Sequence, residues 1–239
     1  MVPEHTVFPI PSTLAFHEAA CLGVAALTAG MSMWRWLDIP MQPVAPSQDP
    51  ETRPVMLIWG GSTVTGQFAI QFAAQAGYEV IAVCSSSTAD IVSSLGATHV
   101  VSYTGKTDLH IIGEILCLAT GRLTKAIDLV GAQTAKLVLQ VIAACGSAQV
   151  VEFAPLAFMG KDSAIPANAR IHNVEMKQFV LDSDSHIYGK RLNELFEYGM
   201  LRLPAVQTIE GGLAAVQEGL KRVKEGKLKG EKLVVSLRS

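Results

Sequence analysis

From residue 55 to residue 153 the sequence alternates short apolar runs with longer helical segments. The apolar runs predict strands and the segments between them predict helices. The predicted strands are Val55–Trp59, Glu79–Cys84, Thr98–Ser102, Ala126–Val130 and Ala148–Phe153, and the predicted helices are Val64–Ala76, Thr88–Leu95, Leu109–Ala119 and Ala135–Ala144. Strands that are apolar on both faces are typical of a parallel sheet covered on both sides. The sequence therefore predicts an α/β fold, a doubly wound parallel sheet of about six strands with helices on both faces.

The flanking segments are less regular. Residues 12–38 predict two helical pieces, the first capped by Ser12 or Thr13 and the second over Leu27–Leu37. Five prolines in residues 39–54 indicate a linker. After residue 154 we expect a loop, a strand Val174–Leu181, a helix Ile187–Leu201, a helix ending near Glu225 and a strand Lys232–Leu237. The predicted domains are an N-terminal helical segment with its linker (1–54), a nucleotide-binding domain (55–204) and a C-terminal helix and strand (205–239).

Composition excludes several classes of protein. Hydrophobic residues make up 49%, yet no apolar run approaches the ~18–20 residues that cross a membrane. The first ten residues lack the features of a secretory signal, and the four cysteines lack zinc-site spacing. We therefore predict a cytoplasmic protein without a metal. The net charge of −2 argues against nucleic acid. The basic cluster from Lys221 to Lys232 is interleaved with glutamates and predicts a solvated helix face rather than a binding patch.

Three glycines stand between the first predicted strand and its helix. Gly60, Gly61 and Gly66 occupy the turn where a Rossmann-like domain brings the pyrophosphate of a dinucleotide against free helix N–H groups. Thr63 stands where such a turn has its middle glycine. Its side chain could block the phosphate or donate a hydrogen bond to it. A turn without a ligand is the alternative.

The end of the second predicted strand carries serines. A carboxylate there would hold the ribose 2′-hydroxyl of NADH, but this chain has Ser85, Ser86 and Ser87 and no acid before Asp90. Hydroxyl groups in that place favour NADPH. The serines could equally cap the next helix, and the two roles are compatible. The turn has no arginine, so Lys106 is a candidate contributor to a 2′-phosphate site.

Four segments carry a family resemblance. GGSTVTGQFAIQFA followed by GYEVIAVCS is similar to the cofactor turn of fungal trans-acting enoyl reductases, zinc-independent members of the medium-chain dehydrogenase/reductase superfamily that serve polyketide synthases. FHEAACLGVAALTAGMSMW, GATHVVSY and GGLAAVQEGLKRVKEGKLKGEKLVVSL resemble the helical approach to the cofactor domain, a strand beside the adenosine, and the C-terminal helix and strand. The resemblance extends from Thr13 to Leu237.

The resemblance implies a cofactor and a set of residues that contact it. Thr28 approaches the nicotinamide, and the backbone near Phe153 faces its amide. The phosphates meet Ser62, Thr63 and Thr65, and the adenosine end meets Ser85, Ser86 and Tyr103. For each side chain a packing or capping role is the alternative.

The resemblance also implies an N-terminal GroES-like barrel that would precede Met1. Residues 205–239 would normally pack on it. Without the barrel, we expect Met31, Met33, Trp34, Trp36 and the strand Leu233–Leu237 to expose apolar side chains. Either a second copy or the chain's own termini would cover them, and of the two we expect a homodimer.

Three functions remain open. The first is an NADPH-dependent enoyl reductase or quinone-type reductase of polyketide metabolism. The second is a redox-silent descendant that cyclises a polyketide-like substrate, a pericyclase. The third is a non-catalytic partner of a polyketide synthase. No catalytic residue is assigned. The polar groups available for cyclisation are His17, Glu18, His172, Asp182, Asp184, His186 and Tyr188. The alternative for most of them is a solvated turn formed by DSDSHIYGKR.

Overall fold

The structure is a computed structural model that describes residues 3–147, 149–160, 163–226 and 228–237. Ala148, the predicted start of a strand, and Lys227, part of the basic cluster, lie outside the described residues. The α-helices are α1 (Phe16–Ala19), α2 (Leu27–Met31), α3 (Val64–Gln75), α4 (Ala89–Ser94), α5 (Asp108–Ala119), α6 (Ala132–Ala144), α7 (Gln178–Leu181), α8 (His186–Glu197) and α9 (Val216–Lys224). The strands are β1 (Val55–Trp59), β2 (Glu79–Cys84), β3 (His99–Ser102), β4 (Leu123–Asp128), β5 (Val151–Pro155), β6 (Ala169–Ile171), β7 (Val206–Ile209) and β8 (Lys232–Val235).

Six strands form one parallel sheet in the order β3-β2-β1-β4-β5-β6. The chain moves outward from β1 to β3, then returns to the other side of β1 with β4. This reversal beside β1 is the switch point at which doubly wound sheets open a crevice at their carboxyl ends. The central strands β1 and β2 are buried along their whole length. The predicted doubly wound parallel sheet is confirmed.

Three predicted strands were placed wrongly. β5 spans Val151–Pro155 instead of Ala148–Phe153. β4 spans Leu123–Asp128 instead of Ala126–Val130, and Val130 is exposed in the turn that leads to α6. The apolar run at Val174–Leu181 contains helix α7, while β6 forms earlier, at Ala169–Ile171. A short apolar run does not distinguish a strand from a helical turn, because the period is too short to read.

The helical segment before the linker is continuous from Leu22 to Trp36, with α2 flanked by two wider π-helical turns at Leu22–Ala26 and Ser32–Trp36. The preceding helix α1 is capped at Ala15, whose N–H is bound by Glu18 Oε2 at 2.8 Å. The predicted cap at Ser12 or Thr13 is therefore wrong. Ser12 instead donates its hydroxyl to the Glu197 carboxylate at 2.7 Å.

The expectation that the tryptophan-containing helix is exposed is also wrong. Met31 and Met33 are fully buried, and Trp34 retains 7% of its surface. The Trp34 and Phe72 rings lie 4.8 Å apart, so helix α3 covers part of this surface. Trp36 is half-buried. In the last strand, β8 is half-buried throughout, and Leu237 beyond it is 68% exposed.

The chain forms two compact units. One comprises the chain up to Thr28 together with Met176 onward, and it contains the two-stranded parallel sheet of β7 and β8. The other is Ala29–Glu175, which holds the six-stranded sheet. Among the described residues, no helix has the length and apolar character needed to cross a membrane.

Candidate functional site

The glycine turn after β1 is built so that its backbone segments nearly touch. Gly60 adopts φ +87°, a left-handed conformation that glycine enters without strain. A Cβ at Gly66 would lie 2.3 Å from the Gly60 carbonyl oxygen, closer than any side chain allows. Gly61 is packed against β2, since its Cβ would lie 3.0 Å from that of Ala82. Position 66 therefore requires glycine. Because positions 60, 61 and 66 carry no side chains, none from these positions covers the start of α3.

Thr63 is the N-cap of α3. Its hydroxyl donates to the Gly60 carbonyl at 2.8 Å and accepts from the Gly66 N–H at 3.0 Å. The single hydroxyl proton is thus used inside the turn. The first N–H groups of a helix have no acceptor within the helix, and at the start of α3 these include the N–H groups of Val64 and Thr65. Such groups can bind an anion.

A cavity of about 550 Å³ opens at the carboxyl end of the sheet, beside the switch point. It is lined from β1 and its turn, from the ends of β2 and β3, and from the start of α6. The lining residues are Trp59, Gly60, Ser62, Thr63, Cys84, Tyr103, Lys106, Asp108, Ile111, Val130, Gln133, Thr134 and Leu137. Of the residues predicted to contact a dinucleotide, Gly60, Ser62, Thr63 and Tyr103 meet here.

Ser85 and Ser86 follow β2 directly but are not among the residues that line the cavity. The Ser85 hydroxyl lies 3.0 Å from that of Ser87 and 2.9 Å from that of Thr88. The Ser86 N–H donates to the Thr104 hydroxyl at 3.0 Å. No side-chain hydrogen bond caps the 3-10 turn Ser86–Thr88 or helix α4, so the predicted capping role of the serines is wrong. The serines lie at the edge of the cavity, next to Cys84.

Lys106 contributes a positive charge to the cavity wall. Its ammonium group is already engaged, with Nζ 2.7 Å from Oε1 and 2.6 Å from Oε2 of Glu114. Tyr103, on the same wall, is 48% exposed. Asp108 adds a negative charge at the first residue of α5.

Asp128 is a residue that the sequence analysis missed. It ends β4 beside the cavity and is fully buried. Its Oδ2 accepts from the Gly131 N–H at 3.1 Å, whereas Oδ1 has no hydrogen-bond partner in the described part of the chain. Burial raises the pKa of this carboxyl above its ordinary value, against the hydrogen bonds from Thr134 and the Val130–Gly131 backbone. The sequence feature that could have identified Asp128 is an acidic residue within an apolar run. It was missed because the strand was predicted at Ala126–Val130, which placed Asp128 in the middle of the strand and not at its end.

Sequence comparison places this site in a family. The pattern of the zinc-binding dehydrogenases matches residues 65–195, more than half of the chain. The trans-enoyl reductase eqxC of Fusarium heterosporum is 30% identical over 254 residues, which cover 98% of this chain and 69% of that protein. This chain belongs to the zinc-binding dehydrogenase family, among the trans-enoyl reductases.

Two further relatives bear on the family and the fold. The trans-enoyl reductase iccB of Talaromyces variabilis is 30% identical, and the match covers 98% of this chain and 65% of that protein. The chain thus spans about two thirds of the length of these relatives. The solved CurK enoyl reductase superposes with a TM-score of 0.76 at 19% identity, covering 97% of this chain and 66% of that one. That likeness supports the shared fold.

Zinc has no site in the described part of this family member. No group of three or more His, Cys, Asp or Glu residues lies close enough together there to hold a metal ion. Of the cysteines, Cys21, Cys84 and Cys145 are buried and Cys117 is exposed, and all four are free thiols. Burial raises the pKa of the Cys84 thiol, which keeps it protonated at the cavity wall.

The remaining predicted residues lie elsewhere. The Phe153 side chain is buried in the core, and its carbonyl accepts from the His172 N–H at 2.8 Å. Thr28 lies in α2 and belongs to the other compact unit. Their proposed contacts with a nicotinamide remain predictions.

The polar groups considered for cyclisation serve mainly as local caps and ion pairs. Asp182 accepts from the Asp184 N–H at 3.0 Å, and His186 Nδ1 lies 3.0 Å from the Ser183 carbonyl. His172 Nε2 lies 2.5 Å from Glu152 Oε2. The predicted solvated turn at DSDSHIYGKR is wrong in its second half, because α8 begins at His186 and Tyr188 is buried.

Proposed function

We propose that this chain binds NADPH and acts as the nucleotide-binding part of a trans-enoyl reductase of polyketide metabolism. The observation that carries the proposal is the cavity at the switch point, where the glycine turn, the start of α3 and the Tyr103 wall meet. The trans-enoyl reductases that it resembles at 30% identity make an enoyl group the proposed substrate. NADPH would supply the hydride that reduces a carbon–carbon double bond conjugated to a carbonyl.

The residues of this chain would bind and orient the dinucleotide. The Val64 and Thr65 N–H groups and the positive end of α3 favour the pyrophosphate. The glycines hold the turn close to the start of α3, since a Cβ at Gly66 would lie 2.3 Å from the Gly60 carbonyl oxygen. Tyr103 and the apolar side chains of Ile111 and Leu137 would bury the adenosine half. Ser85 in place of a carboxylate favours NADPH over NADH.

The decisive experiment is calorimetric titration of the chain with NADPH and with NADH. We expect NADPH to bind more tightly, and tighter NADH binding would contradict the preference. Thr63→Trp should abolish binding of both dinucleotides, because the indole would fill the pyrophosphate position. Thr63→Ser should retain binding, because a serine hydroxyl also caps helices.

A matched control separates blocking from a general effect of adding an indole. Thr208→Trp makes the same substitution at an exposed position of β7 and should leave binding unchanged. If Thr63→Trp binds NADPH as tightly as the unchanged protein, the turn is not the binding site.

The second candidate function is cyclisation of a polyketide-like substrate without a redox step. The observation that favours it is Thr63 itself, a side chain at the place where a standard turn has a glycine. This candidate predicts that neither dinucleotide binds, so the same titration separates the two functions.

The assembly and location of the protein are further proposals. We propose that the protein forms a homodimer, that it acts with a polyketide synthase, and that it is located in the cytoplasm. We also propose that residues 55–204 form the nucleotide-binding domain. Exposed Leu237, next to the half-buried strand β8, supports an interface. Met31 and Met33 do not support a homodimer interface, because both side chains are already buried within the chain. Light scattering that shows a monomer would exclude the homodimer.

A further inference from the structure

We propose that Glu114 sets the preference between phosphorylated and unphosphorylated dinucleotides by competing with the 2′-phosphate for Lys106. This inference rests on the proposed function, since it concerns the same cavity and the same ligand class. It assigns a role to a residue that does not itself line the cavity.

Lys106 is the one lysine or arginine among the described residues that line the cavity. Tyr103 and Lys106 are joined through the turn after β3, where the Lys106 N–H donates to the Tyr103 carbonyl at 3.2 Å. The lysine thus stands on the wall where the adenosine half is proposed to lie. A 2′-phosphate bound on this wall would find its cationic partner in Lys106.

Glu114 already forms an ion pair with Lys106. Both carboxylate oxygens lie within 2.7 Å of Nζ, and the two side chains retain 26% and 35% of their surface. His110 Nε2 lies 3.7 Å from Glu114 Oε1, and Asp108 stands at the start of the same helix. Ser85 supplies no replacement for the lysine, because its hydroxyl is neutral and already lies within 3.0 Å of the hydroxyls of Ser87 and Thr88.

The competition affects one ligand and not the other. A 2′-phosphate carries most of two negative charges at neutral pH and needs the ammonium donors that Glu114 holds. The ribose 2′-hydroxyl of NADH needs none of them. Neutralising Glu114 should therefore strengthen the binding of NADPH and leave that of NADH nearly unchanged.

The test is calorimetric titration of Glu114→Gln with NADPH and NADH, and with adenosine 2′,5′-bisphosphate and AMP as the matching fragments. An exposed charge pair accounts for up to about a fivefold change in affinity. We expect the NADPH-to-NADH affinity ratio to rise about fivefold, with a similar rise for the fragment pair. The fragments isolate the 2′-phosphate from contacts to the nicotinamide.

Glu218→Gln is the matched control. Glu218 also holds a basic side chain, with Oε1 3.0 Å from Arg222 Nε, and its replacement changes the net charge by the same amount. It lies on α9 and does not line the cavity. A general charge effect would raise the affinity for anions in both variants, whereas the competition would change the ratio only in Glu114→Gln.

A double variant links the effect to Lys106. Lys106→Gln should lower the ratio, and adding Glu114→Gln to it should produce no further rise. The inference is overturned if Glu114→Gln leaves the ratio within twofold of the Glu218→Gln control, or if the rise persists without Lys106. If the unchanged protein binds neither dinucleotide, the proposed function fails and this inference fails with it. If NADPH binds and Thr63→Trp abolishes it, a flat Glu114→Gln response refutes this inference alone.

Discussion

The two ends of the six-stranded sheet differ in how fully a buried carboxylate is hydrogen-bonded. At the amino end, Glu79 receives Arg122 Nη1 on Oε2 at 2.7 Å and His99 Nε2 on Oε1 at 2.9 Å. At the carboxyl end, Asp128 is more deeply buried and has one oxygen without a partner among the described residues. One carboxylate is fully paired and the other is not.

The surroundings shift the pKa values of these two carboxyl groups in opposite directions. Burial alone would raise the pKa of Glu79, but the hydrogen bonds and charges of Arg122 and His99 hold it below its ordinary value. Burial dominates at Asp128 and raises its pKa. Arg122 also donates to the carbonyls of Pro50 and Arg53, so the same network fixes the linker before β1.

The difference separates stability from function within one sheet. At the amino end, Glu79 is paired with Arg122 and His99. The carboxyl end keeps a cavity, a glycine turn and an under-satisfied acid, where doubly wound sheets bind their ligands. Substitutions at the amino end should therefore change the free energy of unfolding and leave ligand binding unchanged, whereas substitutions around the cavity should change ligand binding.

The largest effect on stability is expected for Glu79→Gln. The substitution leaves Arg122 with a weaker partner in a partly buried site, and breaking such a pair costs about 3 kcal/mol. Because the folded-state pKa is lowered, this stabilisation is fully present above the unfolded pKa of about 4.3 and disappears as the pH falls through the folded value. Urea unfolding at pH 7 and at lower pH measures both.

The matched comparison for that variant is Glu218→Gln, which should change the unfolding free energy by no more than about 0.5 kcal/mol. Glu79→Gln should bind NADPH as the unchanged protein does once it is folded. A large change in the NADPH affinity of Glu79→Gln would contradict the inference that the amino end of the sheet affects stability and not ligand binding.

A change of intermediate size is expected for Ser85→Asp. A carboxylate after β2 would accept the ribose 2′-hydroxyl and repel a 2′-phosphate, so the NADPH-to-NADH affinity ratio should fall about tenfold, or about 1.4 kcal/mol. Ser93→Asp, at an exposed position of α4, adds the same charge and should leave the ratio unchanged. Equal calorimetric ratios for the two variants would show that the dinucleotide does not pass this strand end.

The smallest effect is expected for Asp128→Asn. A raised folded-state pKa means that the folded protein disfavours the ionised acid, so unfolding free energy falls as the pH rises from about 3.9 to the folded value. The asparagine variant should lack this fall and stay within about 1 kcal/mol of the unchanged protein at pH 7. Urea unfolding between pH 4 and 8 tests it, and identical pH slopes would show that Asp128 does not titrate in this range.

The sequence alone determined the sheet and the turn. Val55–Trp59 and Glu79–Cys84 are apolar on both faces, and such strands are stable only when helices cover them on both sides, so local pattern and fold agree. The glycine turn was also predicted, from the glycines at 60, 61 and 66 after an apolar strand. The structure gives the physical reason for two of them: Gly60 has φ +87°, which favours glycine, and a Cβ at Gly66 would lie 2.3 Å from the Gly60 carbonyl oxygen.

Tertiary structure decided which polar groups face the cavity and which helices are buried. Met31, Met33 and Trp34 were predicted to be exposed, yet they are buried. Phe72, whose ring contacts Trp34, lies on a helix more than thirty residues away in the chain. The Lys106–Glu114 pair and the orphan oxygen of Asp128 depend on where β3, α5 and β4 meet. Sequence patterns report the period of one element, whereas hydrogen-bond partners and burial are set by contacts between elements, which only the folded chain specifies.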